Sequence, residues 1–202
     1  MDVAILAGGR ARRLGGADKS TLLVGGLPII ERQLAALAGL GGEIVVVGGD
    51  PGRFAAYGVR PVPDRVPRSG ALGGLYTALC EATTPHVLVV ACDLPFVSVP
   101  VLERLAELAG DAADAVVPRT ADGLQPLCAV YARTLRGRVR RRIDSGHLKV
   151  QDLLEAIRVR ELGPDEIASI DPAGRSFFNV NTPDDFDQAV RLAARAARRA
   201  RR

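Results

Sequence analysis

The stretch Asp2-Val-Ala-Ile-Leu-Ala-Gly-Gly-Arg-Ala-Arg-Arg-Leu-Gly-Gly-Ala-Asp-Lys19 decides how the rest of the chain is read. Asp2 to Leu6 reads as a buried strand that runs straight into Gly8-Gly9. From there to Ser20 no helical or strand period is visible, so the segment is expected to be a long, functional loop. Its four glycines let the backbone approach a ligand closely and turn its amides inward as an anion nest. Arg10, Arg12, Arg13 and Lys19 add positive charge. A polyphosphate is the ligand that needs this combination. The loop is not a Walker A sequence, because Gly16 and Lys19 are not adjacent, and it lacks the dinucleotide glycine fingerprint. A solvent loop with ordinary turn glycines is the plainer reading. It does not account for a strand, two glycine pairs and a terminal lysine occurring together.

Outward from this loop, strands and helices alternate. The sequence predicts a short strand at Thr21–Val24, a Gly25-Gly26 turn, and a helix entered at Pro28 whose Ile29, Ile30, Leu34, Leu37 and Leu40 repeat at helical spacing. Gly41-Gly42 stops it. Ile44–Val47 is a β-branched strand ending at Gly48-Gly49. A short helix around Phe54–Tyr57 and a strand near Arg60–Pro63 follow. Ala71–Ala82 reads as a helix, His86–Ala91 as the clearest strand, and Val99–Leu108 as a helix. Ala115–Val117, Leu127–Tyr131, Arg158–Leu162 and Phe177–Val180 are predicted strands. Arg133–Ala156 is predicted helical with a break near Ser145-Gly146. Thr182 caps a last helix, with Pro183 first and Asp184 and Asp185 in its opening turn. Strands apolar on both faces, alternating with helices, imply a mostly parallel sheet covered on each side. Ligands of such sheets sit beyond the carboxyl ends of the strands, here marked by Gly8-Gly9, Gly48-Gly49, Asp64 and Asp93.

Composition narrows the function classes. The chain has 202 residues, 48% hydrophobic and 25% charged, enough to build a sizeable core and too apolar for wholesale disorder. No repeat or linker divides it, so one domain is expected over 1–190, with an arginine-rich helix end or tail at 191–202. That tail holds six arginines and no acid; setting them against the total of +4 leaves −2 for the rest. The basic balance therefore belongs to the tail, which reads as a solvated helix end. Non-specific nucleic-acid binding ranks below that, since no aromatic residues are interleaved with the arginines. Val3–Ala7 is too short for a membrane span or a leader core. Three cysteines without metal spacing argue against a disulfide scaffold or zinc ribbon and for a reducing cytosol. Only Lys19 and Lys149 among 27 basic residues are lysine. Against that bias, a lysine closing the glycine loop reads as chemically required.

Two further segments carry candidate chemistry. In Ala91-Cys-Asp-Leu-Pro-Phe96 a carboxylate ends an apolar strand, where it could hold a magnesium ion bridging phosphate oxygens or merely form a turn. Cys92 reads as a small packed residue, since neither histidine forms a Cys/His arrangement with it. In Phe177-Phe-Asn-Val-Asn-Thr-Pro-Asp184, strand alternation would put Asn179 and Asn181 on one face, free to ligate a metal or a substrate phosphate.

Taken in order, the glycine loop, Asp64 with Ser69-Gly-Ala-Leu-Gly-Gly-Leu75, Ala91–Phe96, Gln125-Pro-Leu-Cys-Ala-Val-Tyr131 and Asn179-Val-Asn-Thr-Pro183 resemble the molybdenum cofactor guanylyltransferases, over essentially the whole chain before the tail. The resemblance implies a Rossmann-like, doubly wound, mostly parallel α/β sheet of the nucleotide-diphospho-sugar transferase kind. It implies transfer of GMP from GTP to a molybdopterin-type cofactor, with Mg²⁺, in the cytoplasm. By motif position Leu6, Ala7, Gly8, Gly9 and Lys19 would contact GTP, Asp64 would lie in the nucleotide site, and Asp93 would bind nucleotide and metal. Lys19, Asp93 and Arg13 would be the catalytic set, with Asn179 and Asn181 contacting substrate or metal. Molybdoenzyme maturation proteins would be partners; a membrane or a specific nucleic acid would not. The arginines at 133, 136, 138, 140, 141 and 142 read mostly as a solvated helix face, some of them receiving the anionic pterin or the protein that delivers it. Two positions depart from the pattern: Gly48 stands where asparagine is usual, and Ala71 where proline is common. The Leu6-Ala-Gly-Gly9 form favours GTP over CTP, because Gly9 leaves room for a purine. With no side chain at Gly48, main-chain groups of the loop are expected to read the guanine edge. The competing readings are a nucleotidyltransferase that takes CTP or a sugar phosphate, and a non-catalytic nucleotide-binding protein, which would need neither Asp93 nor the asparagine pair.

Overall fold

The structure, a computed structural model, describes residues 1–7, 19–110 and 112–200. The chain opens with β1 (Asp2–Leu6), then a small hairpin of β2 (Leu23–Val24) and β3 (Leu27–Pro28), and α1 (Ile29–Leu37). Next come β4 (Ile44–Val47), α2 (Pro51–Ala55), β5 (Arg60–Val62), α3 (Gly70–Glu81), β6 (His86–Ala91) and α4 (Val99–Leu108). The second half holds β7 (Ala115–Thr120), β8 (Gly123–Leu124), β9 (Cys128–Ala132), α5 (Arg136–Asp144), α6 (Val150–Leu154), β10 (Val159–Leu162), α7 (Pro164–Ile170) and α8 (Pro183–Ala200).

One sheet organises these elements, in the order β10-β7-β9-β6-β1-β4-β5, with β8 paired to β7. Every neighbouring pair on this path is parallel except those made by β9, which runs against both β6 and β7. Strand β1 is central because all five of its residues are buried, which requires a covered face on each side. Val3 and Ile5 point to one layer, where α1 and α4 supply Ile30, Leu37, Leu102 and Leu105. Ala4 and Leu6 point to the other, where α3 and α5 supply Leu72, Leu79, Val139 and Ile143. This is the doubly wound, mostly parallel sheet expected from the alternation. A third, smaller cluster joins Val24 and Ile29 to Val180, Ala189 and Ala193 of the C-terminal segment. No helix among the described residues is long and apolar enough to cross a membrane.

Besides the two-residue strands β3 and β8, which the sequence did not announce, two larger segments differ from the sequence expectation. Phe177–Val180 is not a strand. Its preceding turn is pinned by Asp171, whose Oδ2 accepts from the backbone N–H groups of Arg175 (2.9 Å) and Ser176 (2.8 Å). Its apolar residues then go to separate clusters, Phe177 to the α4 layer and Phe178 and Val180 to the hairpin cluster. Alternating hydrophobicity here records two packing partners, not a sheet face. Conversely, α7 has no counterpart in the sequence reading, although Pro164 at its start and Asp165 and Glu166 in its first turn are ordinary helix-entry signals.

The sheet is tied at its amino edge by Asp2, which is 6% exposed. Its carboxylate accepts from Thr83 N (2.6 Å), Thr83 Oγ1 (2.9 Å), Thr84 N (3.0 Å) and Glu43 N (3.3 Å). Burial pushes this carboxyl up, but the hydrogen bonds from Thr84, Thr83 and Glu43 outweigh it and hold it below the ordinary aspartate range. Such a group stabilises the fold in full above about pH 4, and the contribution is lost as pH falls through the depressed value. Asp2→Asn is therefore expected to cost about 2 kcal/mol at pH 7 by urea denaturation, with the gap to wild type narrowing towards pH 3. A gap that is the same at both pH values would contradict this account of Asp2.

Candidate active site

A cleft of ≈430 Å³ opens beyond the carboxyl ends of β1, β4 and β6, lined there by Leu6, Val47, Ala91, Cys92 and Asp93. The segment from Asp64 to Gly74 forms its other wall, and Lys19 enters from a single 3₁₀ turn (Lys19–Thr21). A larger groove of ≈640 Å³ lies at the opposite, amino ends of the strands, beside His86, Asp114 and Arg158. We place the chemistry in the smaller cleft, because there the sheet's carboxyl edge brings an acid, a lysine and the glycine loop's exit together. In the larger groove, Arg158 is already taken up by a paired contact to Asp114 (2.9 Å).

The centre of the cleft is Lys19. Its Nζ donates to Asp93 Oδ2 at 3.0 Å, with the two side chains only 12% and 17% exposed, and also to Asn181 Oδ1. Residues far apart in sequence are thus fastened at one point. The second carboxylate oxygen, Asp93 Oδ1, is buried and finds no hydrogen-bond partner among the described residues. Leaving such an oxygen bare is costly, so the described residues leave it short of a cationic or donor ligand. The described residues contain no cluster of three or more His, Cys, Asp or Glu able to cage a metal. One carboxylate together with substrate phosphates and water is, however, the usual way magnesium is held, and the bare Oδ1 suits that hard cation.

Asp93 is held in place by residues that the sequence reading did not single out. Helix α1 sends fully buried Gln33 beneath the turn, where Nε2 donates to Ala91 O (2.7 Å) and Leu94 O (3.1 Å), the carbonyls on either side of Asp93. Arg32 Nε donates to Pro95 O (3.0 Å), and its guanidinium lies 5.5 Å from the centre of the Phe96 ring. The available signal was a polar residue on an apolar stripe: Gln33 sits one helical turn from Ile29 and from Leu37. From the other side, Val180 N–H donates to Asp93 O (2.9 Å). Asp185 Oδ2 accepts from Asn181 N (3.0 Å) and Thr182 N (2.8 Å), while Asp185 N donates to Thr182 Oγ1 (3.2 Å). This reciprocal cap on α8 sets the backbone of Asn181. Burial pushes the Asp185 carboxyl up, but the bonds from Asn181 and Thr182, with Lys19 nearby, hold it below its usual range.

At the far end of the cleft Asp64 is half-buried, and burial pushes its carboxyl above the ordinary range. Gly48 and Gly49, at the end of β4, have φ of +79° and +72°. Asparagine and glycine are the residues that tolerate this left-handed geometry, so glycine suits position 48, where the resemblance in sequence would put an asparagine. In α3 a Cβ on Gly73 would sit 2.8 Å from Ser69 Cβ, so the wall of the cleft packs against the helix only because that side chain is missing.

Of the residues singled out from sequence, the structure brings Leu6, Lys19, Asp64 and Asp93 to one cleft and joins Asn181 to it through Lys19. Ala7 is buried beside it. Asn179 is not paired with Asn181 on a strand face: no strand exists there, and its Nδ2 donates to Phe177 O (3.1 Å). Gly8, Gly9 and Arg13 lie outside the described residues. The grip on the Asp93 turn gives a direct expectation. Gln33→Leu, which keeps the volume but strips Leu94 O of its Gln33 donor and leaves Ala91 O only the long bond from Leu94 N–H (3.4 Å), should lose about 1–3 kcal/mol of stability. Urea denaturation that matches wild type would show that Gln33 does not hold the turn.

Comparison with known proteins identifies the family. The family model described as MobA-like NTP transferase domain matches residues 3–161. A protein of Pelotomaculum thermopropionicum named "Probable molybdenum cofactor guanylyltransferase" is 36% identical over 189 residues, covering 94% of this chain and 91% of the relative. One of the same name from Methanothermobacter thermautotrophicus is also 36% identical, covering 91% and 96%. The crystal structure of molybdopterin-guanine dinucleotide biosynthesis protein A from Archaeoglobus fulgidus superposes with a TM-score of 0.82 at 31% identity, over 96% of this chain and all of that one. With that family model across most of its length and relatives of this similarity over nearly all of it, the chain belongs to the MobA-like NTP transferase family.

Proposed function

We propose that this protein is a cytoplasmic guanylyltransferase. It moves GMP from GTP to the phosphate of a molybdopterin-bound molybdenum cofactor and releases pyrophosphate. The names of its relatives support the substrates. The observation that carries the reading is the Lys19–Asp93 pair at 3.0 Å beside a buried Asp93 Oδ1 that has no partner among the described residues. A carboxylate with one oxygen satisfied by a mobile cation and one left bare is half of a phosphate–metal site.

The chemistry asks little covalent work of the protein. An oxygen of the acceptor phosphate forms a bond to the α-phosphorus of GTP. The bond from that phosphorus to the bridging oxygen breaks, and the electron pair leaves with pyrophosphate. The acceptor phosphate is ionised near neutral pH, so no general base is required of the site. Positioning and charge neutralisation supply the acceleration. Asp93 would hold Mg²⁺ through Oδ1, which when bound offsets charge on the phosphates and on the departing pyrophosphate. Lys19, a compact point charge on a flexible stem, exchanges Asp93 Oδ2 for an α-phosphate oxygen when substrate enters. Asn181, released from Lys19 by the same exchange, then offers its amide to the acceptor side. Asp64 lies towards the nucleoside end. The maturation proteins of molybdoenzymes are the partners that would take the product.

Because Lys19 faces the phosphorus that changes hands, its charge acts mostly in the transition state. Lys19→Met is expected to lower kcat by about 100-fold or more, with a smaller rise in KM for GTP. Asp93→Asn should abolish Mg²⁺-dependent GTP binding and turnover while leaving the folded state intact by circular dichroism. Near-normal turnover of Asp93→Asn at saturating Mg²⁺ would overturn the metal assignment.

A further inference from the structure

Two cations line the cleft among the described residues, Lys19 and Arg68, and Arg68 stands apart. It is the non-glycine residue with positive φ among the described residues, at +67°, and it lines the cleft. Among the described residues it has no hydrogen bond or ion pair, whereas its neighbours are spoken for. Arg65 Nη2 meets Glu81 at 2.6 Å, Arg60 meets both Glu43 (2.7 Å) and Glu81 (2.9 Å), and Lys19 meets Asp93. The left-handed geometry is strained for a residue with a β-carbon, and such strain persists only where the surroundings enforce it. Here they do. Ser69 is buried, its carbonyl accepts from Gly73 N (3.1 Å), and Arg65 N–H donates to Thr77 Oγ1 (3.0 Å). The loop is clamped to α3 on both sides of Arg68, which fixes the backbone from which its exposed side chain lines the cleft.

The sheet order says which part of a nucleotide meets it. Asp93 follows β6 and Asp64 follows β5, with β1 and β4 between them. Three strand spacings separate those ends, about 14 Å. Phosphates gathered at Lys19 and Asp93 therefore leave the nucleoside to extend towards β4 and β5, where Val47 and Val66 give the wall an apolar lining and Arg68 supplies the charge. A guanidinium presents two parallel N–H donors. Guanine offers two adjacent acceptors to match them, O6 and N7. Adenine sets an amino donor beside N7, and cytosine presents an amino donor on the corresponding edge.

We propose that Arg68 reads the base, donating a paired hydrogen bond to O6 and N7 of guanine. It thereby supplies the side-chain selectivity that Gly48 cannot. This inference rests on the guanylyltransferase reading and goes beyond it by naming the residue that selects the nucleotide.

The test compares GTP, 7-deaza-GTP and CTP, with molybdenum cofactor as acceptor and pyrophosphate release as the signal. Wild type is run beside Arg68→Gly, a variant that adopts φ +67° without strain and so keeps the loop. In wild type, removing N7 should lower kcat/KM several-fold. In Arg68→Gly, GTP and 7-deaza-GTP should be used equally. That variant's kcat/KM for GTP should fall about 5- to 150-fold, the range of a good bidentate base contact. The fall should come through KM with kcat held, and CTP use should be unchanged. The melting temperature of Arg68→Gly should be no lower than that of wild type. Equal use of GTP and 7-deaza-GTP by wild type, or an unchanged GTP-to-CTP ratio in Arg68→Gly, would overturn the assignment and leave the guanylyltransferase reading standing. Absence of GTP-dependent pyrophosphate release from wild type would overturn both.

Discussion

An ion pair between Lys19 and Asp93, mostly hidden from water at the edge of a parallel sheet, is the interaction on which the site depends. Neither partner could be held there alone without leaving a charge poorly solvated. Together they close the cleft at modest cost and keep each other available for exchange. The sheet makes the meeting possible. Because β1 and β6 run side by side in the same direction, Leu6 lies opposite Ala91, and the segments that follow them leave from the same edge. Cys92 N–H donating to Leu6 O at 3.1 Å extends that registration one residue past the strand pairing, to the residue before Asp93.

Around this pair, hydrogen bonds from α1 and from the C-terminal segment hold the turn that carries the carboxylate. Gln33 and Arg32 come from α1, Val180 and the Asn181–Asp185 cap from the C-terminal segment, and all of them converge on residues 91–96 or on the chain directly above them. Buried side-chain contacts to backbone carbonyls fix a turn more tightly than packing alone, since losing either partner leaves a polar group dry. That is the condition a transferase without covalent chemistry needs: charges already placed where charge will develop. The strained Arg68 at the opposite end follows the same logic, as local backbone cost is retained where a fixed orientation is useful.

Much of this was legible in the sequence, for physical reasons. Strands β1, β4 and β6 are buried on both faces and so read as unbroken apolar runs. Helix α4 announces its face by spacing, and its predicted limits, Val99–Leu108, are those observed. Asp64, Asp93 and Lys19 could be assigned to one site because parallel strands deliver their carboxyl ends to one edge. What stayed hidden depends on three-dimensional neighbours. The apolar alternation at Phe177–Val180 mimics a strand because its residues serve two separate clusters. The pairing of Asn179 with Asn181 fell with that strand. Gln33 was invisible as a clamp because a helix glutamine is usually solvated, and only its place on the apolar stripe of α1 hinted otherwise. No propensity marks Arg68, because the backbone angle that singles it out is imposed by Ser69, Gly73 and Thr77 from outside.

The central claim is that this cleft joins a guanylyl group to a phosphate of a molybdopterin-type acceptor. The most direct measurement is mass spectrometry of the product after incubating the protein with GTP, Mg²⁺ and molybdenum cofactor. The account predicts a product heavier than the acceptor by one guanylyl group, formed in equal amount to the pyrophosphate released. An acceptor that keeps its mass, or gains a cytidylyl group when CTP is offered beside GTP, would contradict it.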